Sequence, residues 1–261
     1  MPTHDANSKP IIRVEHLDTH YGEKQILDDV NCEIAAGEIF LIIGGSGCGK
    51  TTLLKHMTGL LSPTSGAIYS NGQNVADLTE DERARMQQGI GIAFQSGGLF
   101  NSMTVGENVA LPLHEYGLVD AELIPAIVRM KLSLVGLADA ENLLPSALSG
   151  GMKKRAGLAR ALAADPPIVF FDEPSAGLDP IMASGLDELV LKLRHLLGVT
   201  FVIVTHELDS IRAIADRILM LDQGHVLFEG TVAEADSSGI DRVQQFFKRR
   251  SDSHIAQRNL R

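Results

Sequence analysis

The sequence has few of the features that mark secreted, membrane-spanning or nucleic-acid-binding chains. Its two cysteines, Cys32 and Cys48, are too few for a disulfide framework or a cysteine metal site, and we interpret both as small space-filling residues. No apolar run approaches the length of a membrane-spanning helix, and residues 1–5 lack the basic and then apolar pattern of a signal peptide. The net charge of −10 argues against nucleic acid as a partner, because general nucleic-acid binding needs a basic surface. We therefore expect a cytoplasmic chain that meets a membrane only as a peripheral subunit.

A glycine-rich segment with the pattern G-x-x-x-x-G-K-T follows the apolar run Ile39–Ile43 and precedes a stretch of helical character. Its glycines let backbone N–H groups turn onto an anion, and the following helix adds the free donors of its N-terminus. In this pattern Lys50 reaches the β- and γ-phosphates and the Thr51 hydroxyl holds Mg²⁺. The segment predicts a site for ATP or another nucleoside triphosphate. The predicted phosphate-binding residues are Gly44, Gly45, Ser46, Gly47, Cys48, Gly49, Lys50, Thr51 and Thr52.

Further motifs indicate which family of nucleotide-binding proteins the chain resembles. Seven motifs stand in the order in which the ATP-binding cassette (ABC) ATPase family carries them. They are an aromatic residue (Tyr21), the phosphate loop (44–52), a glutamine (Gln95), a Leu-Ser-Gly-Gly signature (148–151), a carboxylate pair (Asp172 and Glu173), an aspartate loop (Asp179) and a histidine (His206). Residues 11 to about 232 therefore resemble an ABC ATPase.

The apolar pattern and this resemblance predict the same organisation. The runs Phe40–Ile43, Ile168–Phe171 and Phe201–Val204 are continuously apolar, which is typical of parallel strands buried on both faces. The resemblance implies an α/β fold: a P-loop, RecA-like parallel-sheet core, an antiparallel β subdomain and an inserted α-helical subdomain. The predicted boundaries are an ATPase domain over 11–232, with a catalytic core of 11–95 and 165–232 and a helical subdomain of 96–164, and a C-terminal helix and tail over 233–261.

Hydrolysis of ATP needs the γ-phosphate charge neutralised, a water placed in line and the proton of that water removed. We predict Glu173 as the base, since a carboxylate beside Asp172 at a buried strand end has little structural purpose. Asp172 would hold Mg²⁺ through water, and Gln95 would touch both the metal and the attacking water. His206, at a strand tip, would reach the γ-phosphate. The predicted catalytic residues are Glu173, His206 and Gln95, and the predicted metal-binding residues are Thr51, Gln95 and Asp172.

The remaining predicted contacts to ATP come from an aromatic side chain and a second anion-binding end. Tyr21 offers a face on which adenine can stack. The signature opens a helix, so Ser149 and the amides of Gly150 and Gly151 form a second end that favours anions. The resemblance implies that two cassettes pair head to tail, each signature closing on the ATP of the other, with Asp179 at the shared interface. ATP would then hold a homodimer together, and hydrolysis would release it.

The signature departs from the family pattern at one position. Residue 152 is methionine, where most of the family has glutamine. Since the anion-binding amides are kept, we expect activity to be kept as well, with the loss of one side-chain hydrogen bond near the ribose.

Two features are predicted near the C-terminus. Residues 218–228 have the pattern of a β-hairpin, and residues 241–249 that of a short amphipathic helix. Phe246 and Phe247 on this helix need an apolar partner, either their own domain or another chain. The basic triplet 248–250 that follows suits an acidic surface or anionic lipid.

Two functional classes fit an ABC ATPase of this length. One is the ATPase subunit of a membrane transporter, and the other is a soluble ATPase acting on ribosomes or DNA. The second class usually has two cassettes or a long coiled-coil insertion, and this sequence shows neither. Within transporters, residues 93–109 and 149–156 resemble the ATPase of Mla-type (MCE-associated) phospholipid transporters. The alternative is an importer cassette of the organic-solvent or amino-acid type.

The Mla-type resemblance implies a set of partners and a location. The partners would be a second copy of the chain, an MlaE-type permease, an MCE-domain protein of the MlaD type and a STAS-domain protein of the MlaB type. Phospholipid would be the transported substrate, moved to maintain outer-membrane lipid asymmetry. The chain would lie on the cytoplasmic side of the bacterial inner membrane, and the segment 97–100 would receive the coupling helix of the permease.

Overall fold

The strands form two sheets in a computed structural model that describes residues 9–117 and 119–248. One sheet is antiparallel and consists of β1 (Ile12–Tyr21), β2 (Lys24–Ile34), β4 (Ser65–Ser70) and β5 (Gln73–Asn74). The other consists of β3 (Ile39–Gly44), β6 (Ile90–Ala93), β7 (Ile168–Asp172), β8 (Thr200–Val204), β9 (Arg217–Asp222) and β10 (His225–Gly230). Its order is β10-β9-β3-β8-β7-β6, and all neighbours are parallel except β9 and β10.

The central strands β3, β7 and β8 are buried on both faces, as their continuous apolar runs predict. Alternate residues point into two separate cores, because successive side chains of a strand face opposite ways. Leu41 and Phe171 belong to the core on the helical side. Ile42 and Phe170 belong to the core shared with the antiparallel sheet. The predicted parallel-sheet core and separate antiparallel sheet are therefore confirmed.

The helices of the described residues are distributed around and between the strands. They are α1 (Lys50–Met57), α2 (Glu80–Gln88), α3 (Val105–Tyr116), α4 (Ile124–Leu134), α5 (Gly150–Ala161), α6 (Pro180–Leu197), α7 (Leu208–Ile214), α8 (Val232–Ser237) and α9 (Asp241–Phe247). Between β6 and β7 the described residues form helices and turns and no strand. The first of these helices begins at a capping box, in which Thr104 and Glu107 satisfy each other's free N–H groups.

Helix α5 lies unusually close to the segment that follows β6, which we call the Gln95 loop (residues 94–100). A Cβ on Gly157 of α5 would lie only 2.5 Å from the carbonyl oxygen of Gly97, and a Cβ on Gly91 of β6 would lie 2.4 Å from that of Ala161. Real Cβ atoms do not approach backbone so closely. The two glycines therefore permit direct backbone contact between α5, β6 and the Gln95 loop.

The C-terminal part packs on its own chain. β9 and β10 form the predicted hairpin. Phe247 is buried in the helical-side core, Phe246 packs against that core, and the guanidinium of Arg212 lies 5.4 Å from the Phe247 ring centroid. This favours the own-domain alternative for the aromatic pair. Of the basic triplet, residues 249 and 250 lie outside the described residues, as does the rest of the predicted tail.

No helix within residues 9–117 and 119–248 is both long and apolar enough to cross a membrane. Tyr21 is the last residue of β1 and pairs with Lys24 of β2.

The close contact at Gly157 and helix propensity predict opposite effects of Gly157→Ala on the stability of the protein. Helix propensity alone predicts that Gly157→Ala stabilises the protein by up to about 1 kcal/mol. The clash with the Gly97 carbonyl predicts overpacking instead, and we expect a net loss of ~1–2 kcal/mol in the free energy of unfolding. Gly185→Ala on α6 is the matched control, because it also lies inside a helix and its Cβ would meet only the end of the Arg155 side chain, at 3.4 Å. Chemical denaturation of both variants measures the difference, and a stabilised Gly157→Ala protein would contradict the close packing.

Candidate active site

The phosphate loop joins the carboxyl end of β3 to the N-terminus of α1, as predicted. A Cβ on Gly44 would lie 2.2 Å from a carbonyl oxygen of β9, and a Cβ on Gly49 would lie 2.5 Å from a methyl carbon of Leu27. Both glycines also have a positive φ, +143° and +109°. At Gly45 and Gly47, by contrast, a Cβ would meet nothing within 4 Å. The loop is thus packed tightly against the protein at its two ends and faces open space in between, where an anion could approach.

The side chain of Lys50 lies against the backbone at the start of this loop. Its ammonium donates hydrogen bonds to the carbonyl oxygens of Gly44 and Gly45, at 3.0 and 2.8 Å. Cys48 is buried beside Gly44, and burial raises the pKa of its thiol, which agrees with a space-filling role. Ser46 and Thr51 are exposed and Thr52 is half-buried. The positive charge and the exposed hydroxyls therefore lie together at the mouth of the loop.

Thr51 and Asp172 place a hydroxyl and a carboxylate side by side. Their Oγ1 and Oδ1 atoms are 3.5 Å apart. Burial, and then the charge of Glu173, raise the pKa of Asp172. Such a pair fits Mg²⁺, which is held by one or two protein oxygens together with substrate phosphates and water. Within residues 9–117 and 119–248 no three His, Cys, Asp or Glu side chains cluster as a metal site.

Glu173 and His206 form the second pair at this edge of the sheet. Nδ1 of His206 lies 3.0 Å from Oε1 and 2.9 Å from Oε2 of Glu173, and the hydrogen bond is to Oε1. The glutamate side chain is 15% exposed, and its Oε2 receives no hydrogen bond from the described residues. His206, predicted to reach the γ-phosphate, thus also contacts the carboxylate of Glu173, and this contact was not predicted from the sequence. Oε2 is thus a buried acceptor whose hydrogen-bonding capacity is unused in this structure.

Gln95 and Tyr21 are exposed at the edges of the site. Gln95 lies two residues after β6, whose last residue, Ala93, pairs with Phe171 of β7. It therefore follows the strand next to the one that carries Asp172. Tyr21 ends β1 in the other sheet with half of its surface exposed.

The signature and the aspartate loop lie next to each other. Ser149 caps α5 by accepting the N–H of Met152, and Asp179 caps α6 by accepting two N–H groups at 3.0 Å. A Cβ on Gly151 would lie 2.4 Å from the methyl carbon of Met182 at the start of α6. Ser149 and Gly150 are exposed. Both cap residues thus have structural roles that the sequence analysis did not assign, besides their predicted contacts across a dimer.

Three polar side chains that support the site were missed in the sequence. Arg160 donates to the carbonyl oxygens of Gly98 and Gly97, at 2.7 and 3.4 Å. Asn108 binds the N–H and the carbonyl of Phe100 with its side chain. Lys154 donates to the carbonyl oxygen of Glu173. The sequence signal that could have identified such residues is a polar residue among apolar ones in a predicted helix, and it is clearest for Asn108.

The contacts of the signature predict that substitutions at two neighbouring positions, Gly151 and Met152, lower ATP turnover to different extents. Met152→Gln keeps the backbone amides and should change ATP turnover only a few-fold. Gly151→Val should lower turnover by about 100-fold, because its side chain meets Met182 and blocks the approach to the amides. Steady-state phosphate release measures both. Comparable losses from the two changes would show that the signature does not act through its amides.

The comparisons with known proteins agree with this geometry. A family model described as ABC transporter matches residues 27–176. The intermembrane phospholipid transport system ATP-binding protein MlaF of Haemophilus influenzae is 40% identical over 94% of this chain and 93% of its own length. The methionine import ATP-binding protein MetN of Brucella abortus is also 40% identical, over 87% of this chain, which spans only 61% of that protein.

A solved structure is similar as well. The post-hydrolysis dimer of the ATP-binding cassette MJ0796, bound to ADP and phosphate, superposes with a TM-score of 0.77 at 33% identity, covering 85% of this chain and 98% of that one. The expected ABC ATPase fold is confirmed. The chain therefore belongs to the ABC transporter family, as an ATPase and the ATP-binding subunit of a transporter.

Proposed function

We propose that the chain drives phospholipid transport across the bacterial envelope as the ATPase of an Mla-type inner-membrane transporter. The observation that carries this proposal is the likeness to MlaF, which extends over nearly the whole length of both chains. The transport would serve outer-membrane lipid asymmetry, and the chain would act from the cytoplasmic face of the inner membrane.

The arrangement of side chains at the ends of β3, β7 and β8 supports the following roles in ATP hydrolysis. Lys50 and the loop amides bind the phosphates, and Thr51 and Asp172, the latter through water, hold Mg²⁺, which neutralises phosphate charge. The carboxylate of Glu173 accepts the proton of the attacking water, while the hydrogen bond with His206 orients that carboxylate. Gln95 contacts the metal and the water.

Two cassettes would act together. A dimer is the known state of the similar cassette MJ0796. Ser149, Gly150 and Gly151 of one chain would bind the ATP held by the phosphate loop of the other, Asp179 would lie at the interface, and Tyr21 would stack on adenine. The exposure of Ser149 and Gly150 supports this role.

A cavity beside the Gln95 loop supports attachment to an MlaE-type permease. It has a volume of about 250 Å³ and is lined by Leu60, Phe94, Pro112, Tyr116 and Arg160, among others. Leu60, Phe94 and Tyr116 are all more than a third exposed. We call it the docking cavity. Leu99, which the sequence suggests as part of the docking surface, is half-buried and packs against the core on one side.

The remaining proposed partners follow from the Mla-type likeness alone. They are an MCE-domain protein of the MlaD type and a STAS-domain protein of the MlaB type. The alternative substrate is an amino acid, which the equal identity to MetN supports over a shorter part of that protein.

The first prediction concerns Glu173. Glu173→Gln should lower ATP turnover by at least ~100-fold and leave ATP binding intact, because the amide cannot accept the proton of the water. Lys50→Ala should weaken ATP binding instead, through the loss of phosphate contacts. Nucleotide binding and phosphate release measured on the same preparations separate the two. A Glu173→Gln protein that keeps a substantial part of the wild-type turnover would refute the assignment.

The second prediction concerns the docking cavity. Leu60→Asp should preserve ATP binding and abolish copurification with the permease, since the charge would be buried against the coupling helix. Leu196→Asp, equally exposed but outside the cavity, is the matched control. Transfer of labelled phospholipid between bilayers should be lost only in the first variant. Normal assembly of Leu60→Asp would mean that the permease binds elsewhere, and a wild-type complex that moves no phospholipid would favour the importer alternative.

A further inference from the structure

Lys154, on the signature helix α5, has its long charged side chain inside the protein. Only 4% of the residue surface is exposed. Its ammonium donates a hydrogen bond to the carbonyl oxygen of Glu173, at 3.1 Å. Burial lowers the pKa of Lys154, and the negative charge of Glu173 acts in the opposite direction. A buried ammonium is unfavourable unless it is hydrogen-bonded and close to an opposite charge, so packing alone does not explain a lysine here.

The backbone of Glu173 adopts a conformation that its local sequence does not favour. Its φ is +48°, in the left-handed region that residues with a side chain avoid. Pro174 follows, and a residue before proline is biased towards the extended region. Tertiary contacts must therefore hold Glu173 as it is.

Three hydrogen bonds act on the backbone of Glu173. Its N–H donates to the carbonyl of Val204 at 2.9 Å, and its carbonyl accepts the N–H of Ala176 at 3.2 Å and the ammonium of Lys154. The first two come from the backbone of neighbouring segments. The third comes from a side chain of α5, and so depends on where that helix lies.

We propose that Lys154 is a positioning residue, whose ammonium fixes the carbonyl of Glu173 and thereby holds the Glu173 carboxylate against His206. The carbonyl carbon and the side chain are both bonded to the same Cα, so a peptide that cannot rotate fixes the direction of the Cα–Cβ bond, from which the carboxylate reaches His206. This inference rests on the proposed role of Glu173 as the base.

The same helix contacts the Gln95 loop one turn further on. Gly157 lies against the backbone of Gly97, and Arg160 donates to two carbonyls of that loop. Lys154 and Gly157 are three residues apart and so share one side of the helix. A shift of the Gln95 loop would therefore move α5, and with it the ammonium that holds Glu173.

Substitutions at two adjacent lysines test the inference. Lys154→Met keeps the length and apolar stem but removes the donor, Lys154→Arg keeps a donor, and Lys153→Met on the half-buried neighbour is the matched control. ATP turnover is measured on the full-length chain in its membrane complex, and nucleotide binding on the same preparation. We expect Lys154→Met to lower kcat by about ten-fold or more, with KM and ATP binding within two-fold of wild type. Lys154→Arg should recover most of the turnover, and Lys153→Met should lose none.

A role limited to packing predicts another result. Lys154→Met would then be less stable, with an unchanged kcat per folded molecule or with ATP binding reduced as much as turnover. Either result overturns the inference. A crystal structure of Lys154→Met gives an independent measurement, because φ of Glu173 should leave the left-handed region or its carboxylate should leave His206. An unchanged Glu173 would also overturn it.

Comparison with Glu173→Gln separates failure of this inference from failure of the proposed function. If Glu173→Gln retains turnover, the assignment of the base is wrong. If Glu173→Gln is inactive and Lys154→Met is fully active, only the positioning role is wrong. In the double variant, Lys154→Met should reduce the residual turnover no further, because both changes act through one carboxylate.

Discussion

The parallel alignment of β3, β7 and β8 is the constraint on which the rest of the structure depends. These strands are buried on both faces, so their register is fixed by two cores at once. Ile42 pairs with Val204, and Asp172 pairs with the same residue from the other side. The segments that follow the three strands therefore begin at one edge of the sheet, where Lys50, Glu173 and His206 meet. The site needs no deep pocket, because the sheet edge itself brings the groups together.

Close backbone contacts at glycine connect this rigid edge to the helical part of the chain. At Gly91 and Gly157 even a methyl group would overlap a carbonyl oxygen, so the Gln95 loop has little freedom relative to α5. Arg160 adds a charged donor to the same junction. The docking cavity opens at this point. A partner that enters it would therefore press on a segment that is already packed against the signature helix.

Motifs whose chemistry is local could be predicted from the sequence, and contacts made by tertiary packing could not. The phosphate loop, the buried strands and the start of α5 all follow from short patterns: a glycine-rich loop, apolar runs and the Leu-Ser-Gly-Gly signature. The contact of Lys154 with the Glu173 carbonyl joins residues 19 apart and depends on how a helix packs on a strand end. Leu99 is a further example, since only the tertiary structure shows that this residue of the Gln95 loop is half-buried and packs against the core.

The charges at the sheet edge explain why this site suits a bound cation and an anion together. Burial, and then the charge of the adjacent Glu173, raise the pKa of Asp172 and disfavour its ionised form. The ammonium of Lys154 lies on the Glu173 side, where it donates to the Glu173 carbonyl. On the Asp172 side, the ammonium of Lys50 donates its hydrogen bonds to two carbonyl oxygens of the phosphate loop. A divalent cation beside Thr51 would balance Asp172, while phosphate would draw on Lys50 and the loop amides. Binding of Mg²⁺ and of ATP would thus each make the other more favourable.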